Sequence, residues 1–254
     1  MYIMFRGNAL EFANKKESKV QPENGIETFL LDENWKGGPD AENIRKITKA
    51  GQEVSFDKDA KNEDGIISGI NDKPKYSSNF YDCVGIAACG ESLSNNKPIS
   101  FLAHLSRSTG YFKEKDKGYY NPDKISKDLQ KQTSELLKSS KEKTVSIAIF
   151  GGFVNRNTEN KNDRIVGNFH SYVNTINFLR ESFSVFKDLD PVIVIGPKRY
   201  MDLNNGTEAY FDTPQRKLFI YQKGNDAKPN FRPFSFKLSE ADKFLKEIEK
   251  EFEN

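Results

Sequence analysis

Cysteine and histidine are the residues of this sequence best suited to nucleophilic chemistry, and the 254-residue chain has two of each. Cys83 and His104 lie in two short apolar runs, Cys83–Cys89 and Ile99–Leu105, which predict the strands of a β-hairpin. An antiparallel pair brings Cys83, at the start of one strand, across from His104, near the end of the other. A histidine beside a cysteine can take the thiol proton and generate the nucleophilic thiolate. The spacing makes an acyl-transfer pair one hypothesis, beside the plainer one that both are buried core residues.

The remaining cysteine and histidine have no such arrangement. Cys89 shares the Cys83 face of the predicted strand, but about 20 Å separates them at a rise of about 3.3 Å per residue. We interpret Cys89 as a small core residue and not as a redox partner of Cys83. His170 adjoins an apolar stripe at helical spacing, and we interpret it as a helix-boundary residue. A zinc site would require all four side chains together, so we expect neither a metal nor a cofactor.

The composition excludes several classes of protein. Charged residues make up 30% and aromatic residues 12% of the chain, which is too polar for a membrane protein and too aromatic for a disordered one. The formal net charge of +2 favours no nucleic-acid partner. No apolar run approaches the roughly 20 residues that cross a bilayer, and no signal-peptide core follows Met1. We expect a cytoplasmic protein without membrane insertion, or an effector that enters a host cytosol without a classical signal peptide.

Strands and helices that would position the Cys-His pair follow from the hydrophobic pattern. Besides the hairpin, strands are predicted at 2–5, 28–31, 144–150, 191–196, 208–212 and 217–222. Helices are predicted at 41–50, 122–139, about 166–182 and about 238–248. Strands that arrive in pairs among a few helices, without regular βαβ alternation, indicate an α+β fold. We predict a layered β-sandwich flanked by helices.

A series of short motifs follows in order along the chain. They are Cys83-Val-Gly-Ile-Ala, Ala103-His104, the helix from Pro122, Ile149-Phe150-Gly151-Gly152 and Ile165-Val166-Gly167-Asn168. With this order of elements, the chain resembles the CheD-type chemoreceptor glutamine deamidases from about Ile66 to Gln222. That family has a Cys-His deamidase fold, which is related to the fold of bacterial deamidase toxins.

The resemblance implies a cysteine-dependent protein glutamine deamidase. Cys83 would form a thioester with a target glutamine and release ammonia, with His104 as base and acid. The implied partner is a protein substrate that bears this glutamine, either a chemoreceptor or a host protein. Two alternatives stay open. One is a catalytically silent CheD-like protein-binding module, and the other is a Cys-His amidase or transglutaminase that acts on another amide.

Further site residues come from the same resemblance. The family has a threonine six residues before the cysteine, and Ser77 holds that position, with Ser78 as a nearby alternative. This hydroxyl is expected to orient His104 or the substrate. The family's Gly-Ser before the cysteine is Tyr81-Asp82 here, so these two residues are candidates for shaping the oxyanion and substrate contacts.

The resemblance covers the centre of the chain and sets the expected domain boundaries. We predict that residues 66–222 form a CheD-like deamidase domain. Residues 1–65 are expected to be an N-terminal extension packed on this core, and 223–254 a linker followed by an amphipathic helix. Such additions suit a protein whose target is not a chemoreceptor.

Overall fold

Eleven strands and two longer helices make up the described part of the chain. The computed structural model describes residues 25–31, 36–38, 40–55, 65–80, 83–105, 122–151, 188–195, 207–222 and 234–246. The strands are β1 (Glu27–Leu31), β2 (Gln52–Glu53), β3 (Gly65–Ile67), β4 (Lys75–Phe80), β5 (Val84–Glu91), β6 (Pro98–Leu105), β7 (Ser146–Gly151), β8 (Val192–Ile195), β9 (Thr207–Asp212), β10 (Lys217–Gln222) and β11 (Phe234–Lys237). The helices are α1 (Ala41–Ala50) and α2 (Pro122–Ser139), and a 3-10 turn at Leu238–Glu240 leads into helical residues 241–246.

The strands form two mixed sheets. The small sheet has the order β1-β10-β9-β4-β2, and the large sheet has the order β11-β8-β7-β5-β6-β3. Three pairings are parallel, namely β1 with β10, β2 with β4, and β7 with β8. The N-terminal segment contributes β1 and β2 to the small sheet, and the C-terminal segment contributes β11 to the large sheet.

Three apolar clusters define the layers. The inner cluster joins the two sheets, with Ala87, Leu102 and Ala148 from the large sheet against Ala209, Phe211 and Leu218 from the small one. On the outer face of the large sheet, Leu129 and Leu136 of α2 join the cluster of that sheet. On the outer face of the small sheet, Ile44 and Ile47 of α1 pack with Tyr210, Phe219 and Tyr221. The order helix, sheet, sheet, helix confirms the predicted α+β layered sandwich.

A polar cluster lies between the sheets, centred on Lys75. This side chain is fully buried, and its ammonium donates to Asn71 Oδ1 at 3.0 Å, the Lys73 carbonyl at 2.9 Å and Ser100 Oγ at 2.9 Å. Burial lowers the pKa of Lys75 to about 8, because the charged form loses its hydration. Cys89 lies on β5 opposite Ser100, and burial raises the pKa of its thiol to about 11. A basic group and a protonated thiol thus share this part of the core.

Four strands of the structure are not among the predicted ones, namely β2, β3, β4 and β11, and the first two are only two and three residues long. β4 was not predicted, because its inward positions hold Lys75 and Ser77 and the stretch therefore has no apolar alternation. β11 was not predicted either, since it is four residues long and follows a segment rich in loop-forming residues. The helices at 41–50 and 122–139 are confirmed with the predicted bounds. The predictions at 2–5 and 166–182, with His170, fall outside the described residues.

Candidate functional site

The β5–β6 hairpin brings Cys83 and His104 to the same end of the large sheet. The two strands are antiparallel, with Gly85 opposite His104, and Cys83 precedes β5 by one residue. Residues two apart share a face of a strand, so Cys83, Gly85 and His104 all face the small sheet. Cys83 lies two residues before Gly85, the residue opposite His104, and therefore stands diagonally from His104 at this end of the hairpin. The predicted hairpin is confirmed, and the residue directly opposite His104 is Gly85, whereas the sequence pattern predicts Cys83 there.

Two glycines on neighbouring strands leave room for the elements around Cys83. A Cβ at Gly85 would lie 2.0 Å from the Phe150 ring, so only glycine lets that ring cross the strand. Gly151 has φ +77°, which favours glycine, and a Cβ there would lie 2.6 Å from the Cys83 carbonyl oxygen. The main chain at Cys83 therefore packs closely against Gly151, the last residue of β7.

Ser77 connects the small sheet to His104. Its Oγ lies 3.0 Å from His104 Nδ1, and its hydroxyl donates to the main-chain carbonyl of Val54. Ser77 is fully buried, whereas Ser78 is half-buried on the opposite side of β4. Of the two serines considered from the sequence, the structure therefore brings Ser77 and not Ser78 to the histidine.

A bulge in β4 adds an aromatic ring to the site. The pairing of β4 with β9 shifts between Ser77 and Phe80, and Asn79 has φ 65°, a conformation that asparagine tolerates. Residues three apart in a regular strand face opposite sides, so the bulge is what turns both Ser77 and Phe80 inward. The Phe80 ring stacks on His104 with centroids 3.8 Å apart and planes at 20°, and it meets Phe150 edge-on at 5.1 Å.

The environment keeps His104 neutral. The side chain is 1% exposed, between the stacked Phe80 ring and the Ser77 hydroxyl. Burial lowers the pKa of His104 to about 4, since the imidazolium form loses its hydration there. At neutral pH the imidazole is therefore uncharged, which is the form that accepts a proton.

The site contains residues that sequence reasoning missed. Phe80 lies in a stretch without apolar alternation, and Val54 contributes only a main-chain carbonyl, which no side-chain pattern reveals. A signal for the bulge was present in Asn79, because asparagine is enriched where φ is positive. Tyr81 and Asp82 fall outside the described residues. Cys89 is 1% exposed in the inner cluster, which confirms its interpretation as a core residue.

No protein-family model matches the chain, and no curated protein matches it. Among the residues that the structure describes, no three His, Cys, Asp or Glu side chains are grouped so that they could hold a metal ion. No helix in the described ranges is long and apolar enough to cross a membrane. The likeness to CheD-type deamidases therefore stays a prediction from the sequence.

Proposed function

We propose that this protein is a cysteine-dependent protein glutamine deamidase, with Cys83 as the nucleophile and His104 as the base and acid. The observation that carries the proposal is the set of neighbours around His104. One ring nitrogen is held by Ser77, and the ring lies on the same face and at the same strand end as Cys83. Nucleophile, base and a third group that orients the base are the parts of an acyl-transfer site.

The reaction proceeds in two halves. His104 takes the proton of the Cys83 thiol as the sulfur attacks the carboxamide carbon of a target glutamine. The C–N bond breaks, the proton passes from His104 to the departing ammonia, and a thioester is left. Water then attacks the thioester, with His104 accepting its proton and returning it to the sulfur. The net change is glutamine plus water to glutamate plus ammonia.

The resting state of His104 is the neutral imidazole, which is the form that a general base needs before the first proton transfer. With its pKa lowered to about 4, the ring is an unprotonated base throughout the neutral range. The resting pair is then a thiol beside an imidazole, and charge separates only when the substrate is attacked. A site that excludes water strengthens the interactions with that developing charge.

The burial of the pair favours a side-chain amide as substrate. Cys83 is 8% exposed and His104 is 1% exposed, so the reacting atoms lie below the surface. The glutamine carboxamide stands at the end of a flexible two-carbon arm that can enter such a site. A backbone amide in a folded protein has no comparable arm, which argues against a peptidase.

The first test measures alkylation by chloroacetamide, a small reagent that carries the same primary carboxamide as glutamine. Peptide mass analysis resolves Cys83 from Cys89, which serves as the internal control because it is a buried thiol on the same strand face. We expect Cys83 to react faster at pH 7 and to slow in His104→Ala. Equal reactivity of both thiols, unchanged in His104→Ala, would contradict a Cys-His pair.

The second test measures ammonia released from unfolded casein, a probe that presents many glutamine side chains. We expect release by the unmodified chain and by Cys89→Ala, and none by Cys83→Ala or His104→Ala. The mass of tryptic casein peptides identifies which glutamines became glutamates. Release that persists in folded Cys83→Ala would refute the assignment of the nucleophile.

The alternative of a silent binding module is favoured by the same deep burial, because a site closed to substrate has no turnover. It predicts that Cys83 reacts no faster than Cys89 in the first test. A transglutaminase would instead incorporate a labelled primary amine into casein through the same thioester.

A further inference from the structure

The N-terminal segment reaches the candidate site through Val54. β2 runs parallel to β4, and after it the Val54 N–H donates to the Tyr76 carbonyl at 2.8 Å. Val54 is 1% exposed, and its own carbonyl accepts the hydroxyl proton of Ser77. A segment that lies outside the family resemblance therefore contacts the group that holds His104.

The direction of these hydrogen bonds fixes where the protons lie. A serine hydroxyl has one hydrogen, and a carbonyl oxygen can only accept. The Ser77 hydrogen is therefore directed at Val54, and Ser77 Oγ acts as the acceptor in its 3.0 Å contact with His104 Nδ1. Nδ1 must then carry the imidazole proton, and Nε2 carries the lone pair.

We propose that the Val54 carbonyl, acting through Ser77, holds His104 in the Nδ1–H tautomer and so makes Nε2 the base. The N-terminal segment is then a positioning part of the site. The catalytic consequence rests on the proposed function, but the tautomer does not. When Nε2 takes the thiol proton, Nδ1–H still donates to Ser77 Oγ, and the chain of donors ends on a carbonyl dipole where a triad would have a carboxylate.

Gly51 sets the position of β2 against β4. The α1 helix ends at Ala50, and the Gly51 N–H donates to the Ile47 carbonyl at 2.7 Å. A Cβ at Gly51 would lie 2.4 Å from that oxygen and 2.9 Å from the Pro74 carbonyl oxygen, both of them main-chain atoms. Alanine at this position therefore has to move β2, and with it Val54, without any change in the side chains of the site.

The experiment records ¹⁵N NMR spectra of the imidazole rings in the full chain, because the two tautomers give distinct patterns of ring-nitrogen shifts. With two histidines in the sequence, a His170→Gln variant assigns the His104 signals. We expect the Nδ1–H pattern in the unmodified chain and in Ser77→Thr, which keeps the hydroxyl. Ser77→Ala and Gly51→Ala should shift His104 towards the Nε2–H form. The matched control is Gly37→Ala, because no atom lies within 4 Å of a Cβ at that position in the same segment.

A predominant Nε2–H pattern in the unmodified chain would overturn the proposal. So would a folded Gly51→Ala whose His104 signals match those of Gly37→Ala. If Gly51→Ala does not fold, the ¹³C shift of the Val54 carbonyl decides the question. It should move in Ser77→Ala and return in Ser77→Thr, and an unmoved shift would refute the Ser77–Val54 link.

Activity separates this inference from the proposed function. Deamidation by a chain whose His104 has the Nε2–H pattern would refute the inference alone. The Nδ1–H pattern in a chain without Cys83-dependent chemistry would refute the deamidase alone. If both hold, Gly51→Ala should lower kcat for casein with little change in KM, because the substrate contacts are unaltered.

Discussion

His104 should make the fold sensitive to acid. The pKa of the folded protein's His104 is about 4, against about 6.5 for an unfolded histidine. Between these values the unfolded chain binds the proton and the folded chain does not, so stability rises with pH across the window and is lost as the pH falls. Linkage gives a loss of about 2 kcal/mol at pH 5 and about 3 kcal/mol at pH 4, relative to pH 7 or above. That is a large part of the 5–15 kcal/mol typical of a domain.

The assay is urea unfolding of the unmodified chain and of His104→Gln at pH 7, 5 and 4. Carboxylates titrate in both proteins, so the difference between the two curves isolates the histidine. We expect His104→Gln to be the less stable protein at pH 7 and to lose about 2–3 kcal/mol less on acidification. Parallel losses in the two proteins would mean that His104 is solvated or already charged when folded, and would refute a neutral imidazole at this position.

Three further substitutions test other parts of the core. Lys75→Met removes a group whose pKa is about 8 in the folded chain and about 10.4 in the unfolded chain. Between pH 7 and pH 9 the free energy of unfolding of the unmodified chain should therefore rise by about 1 kcal/mol relative to that of Lys75→Met. If urea unfolding shows no such rise, the ammonium is not buried. Phe80→Leu opens the face of His104 to water, and an NMR titration should find its pKa raised from about 4 towards 6.5; an unchanged pKa would show that the ring does not exclude water. Gly85→Ala must displace the Phe150 ring, and we expect it to lower the free energy of unfolding by about 1–3 kcal/mol. An unchanged free energy of unfolding in urea would refute this.

Local patterns explain why much of the fold was predictable. The helices at 41–50 and 122–139 repeat apolar residues at helical spacing, and the β5–β6 hairpin consists of two apolar runs around a turn. These signals need no knowledge of the partner elements. The layered sandwich follows because each of these elements has an apolar face to bury.

The missed parts depend on distant partners. β4 turns Lys75 and Ser77 into the core, where Ser100 and His104 of the other sheet satisfy them, so its sequence looks like a loop. Phe80 reaches His104 only because of the bulge at Asn79. Ser77 was found through the spacing of a family resemblance, whereas no spacing could indicate the Val54 carbonyl.

The parallel pairing of β1 with β10 has a consequence for how the chain folds. Glu27 is paired with Lys217, so β1 can form this pairing only after β10, near the end of the described chain, has been synthesised. Contacts between such distant parts of a chain are entropically expensive to close, and folds dominated by them form slowly. During synthesis, β1 leaves the ribosome long before its partner exists, and an unpaired apolar strand is prone to aggregate in that interval. We therefore expect the yield of folded protein to depend on chaperones and on growth temperature more than on equilibrium stability.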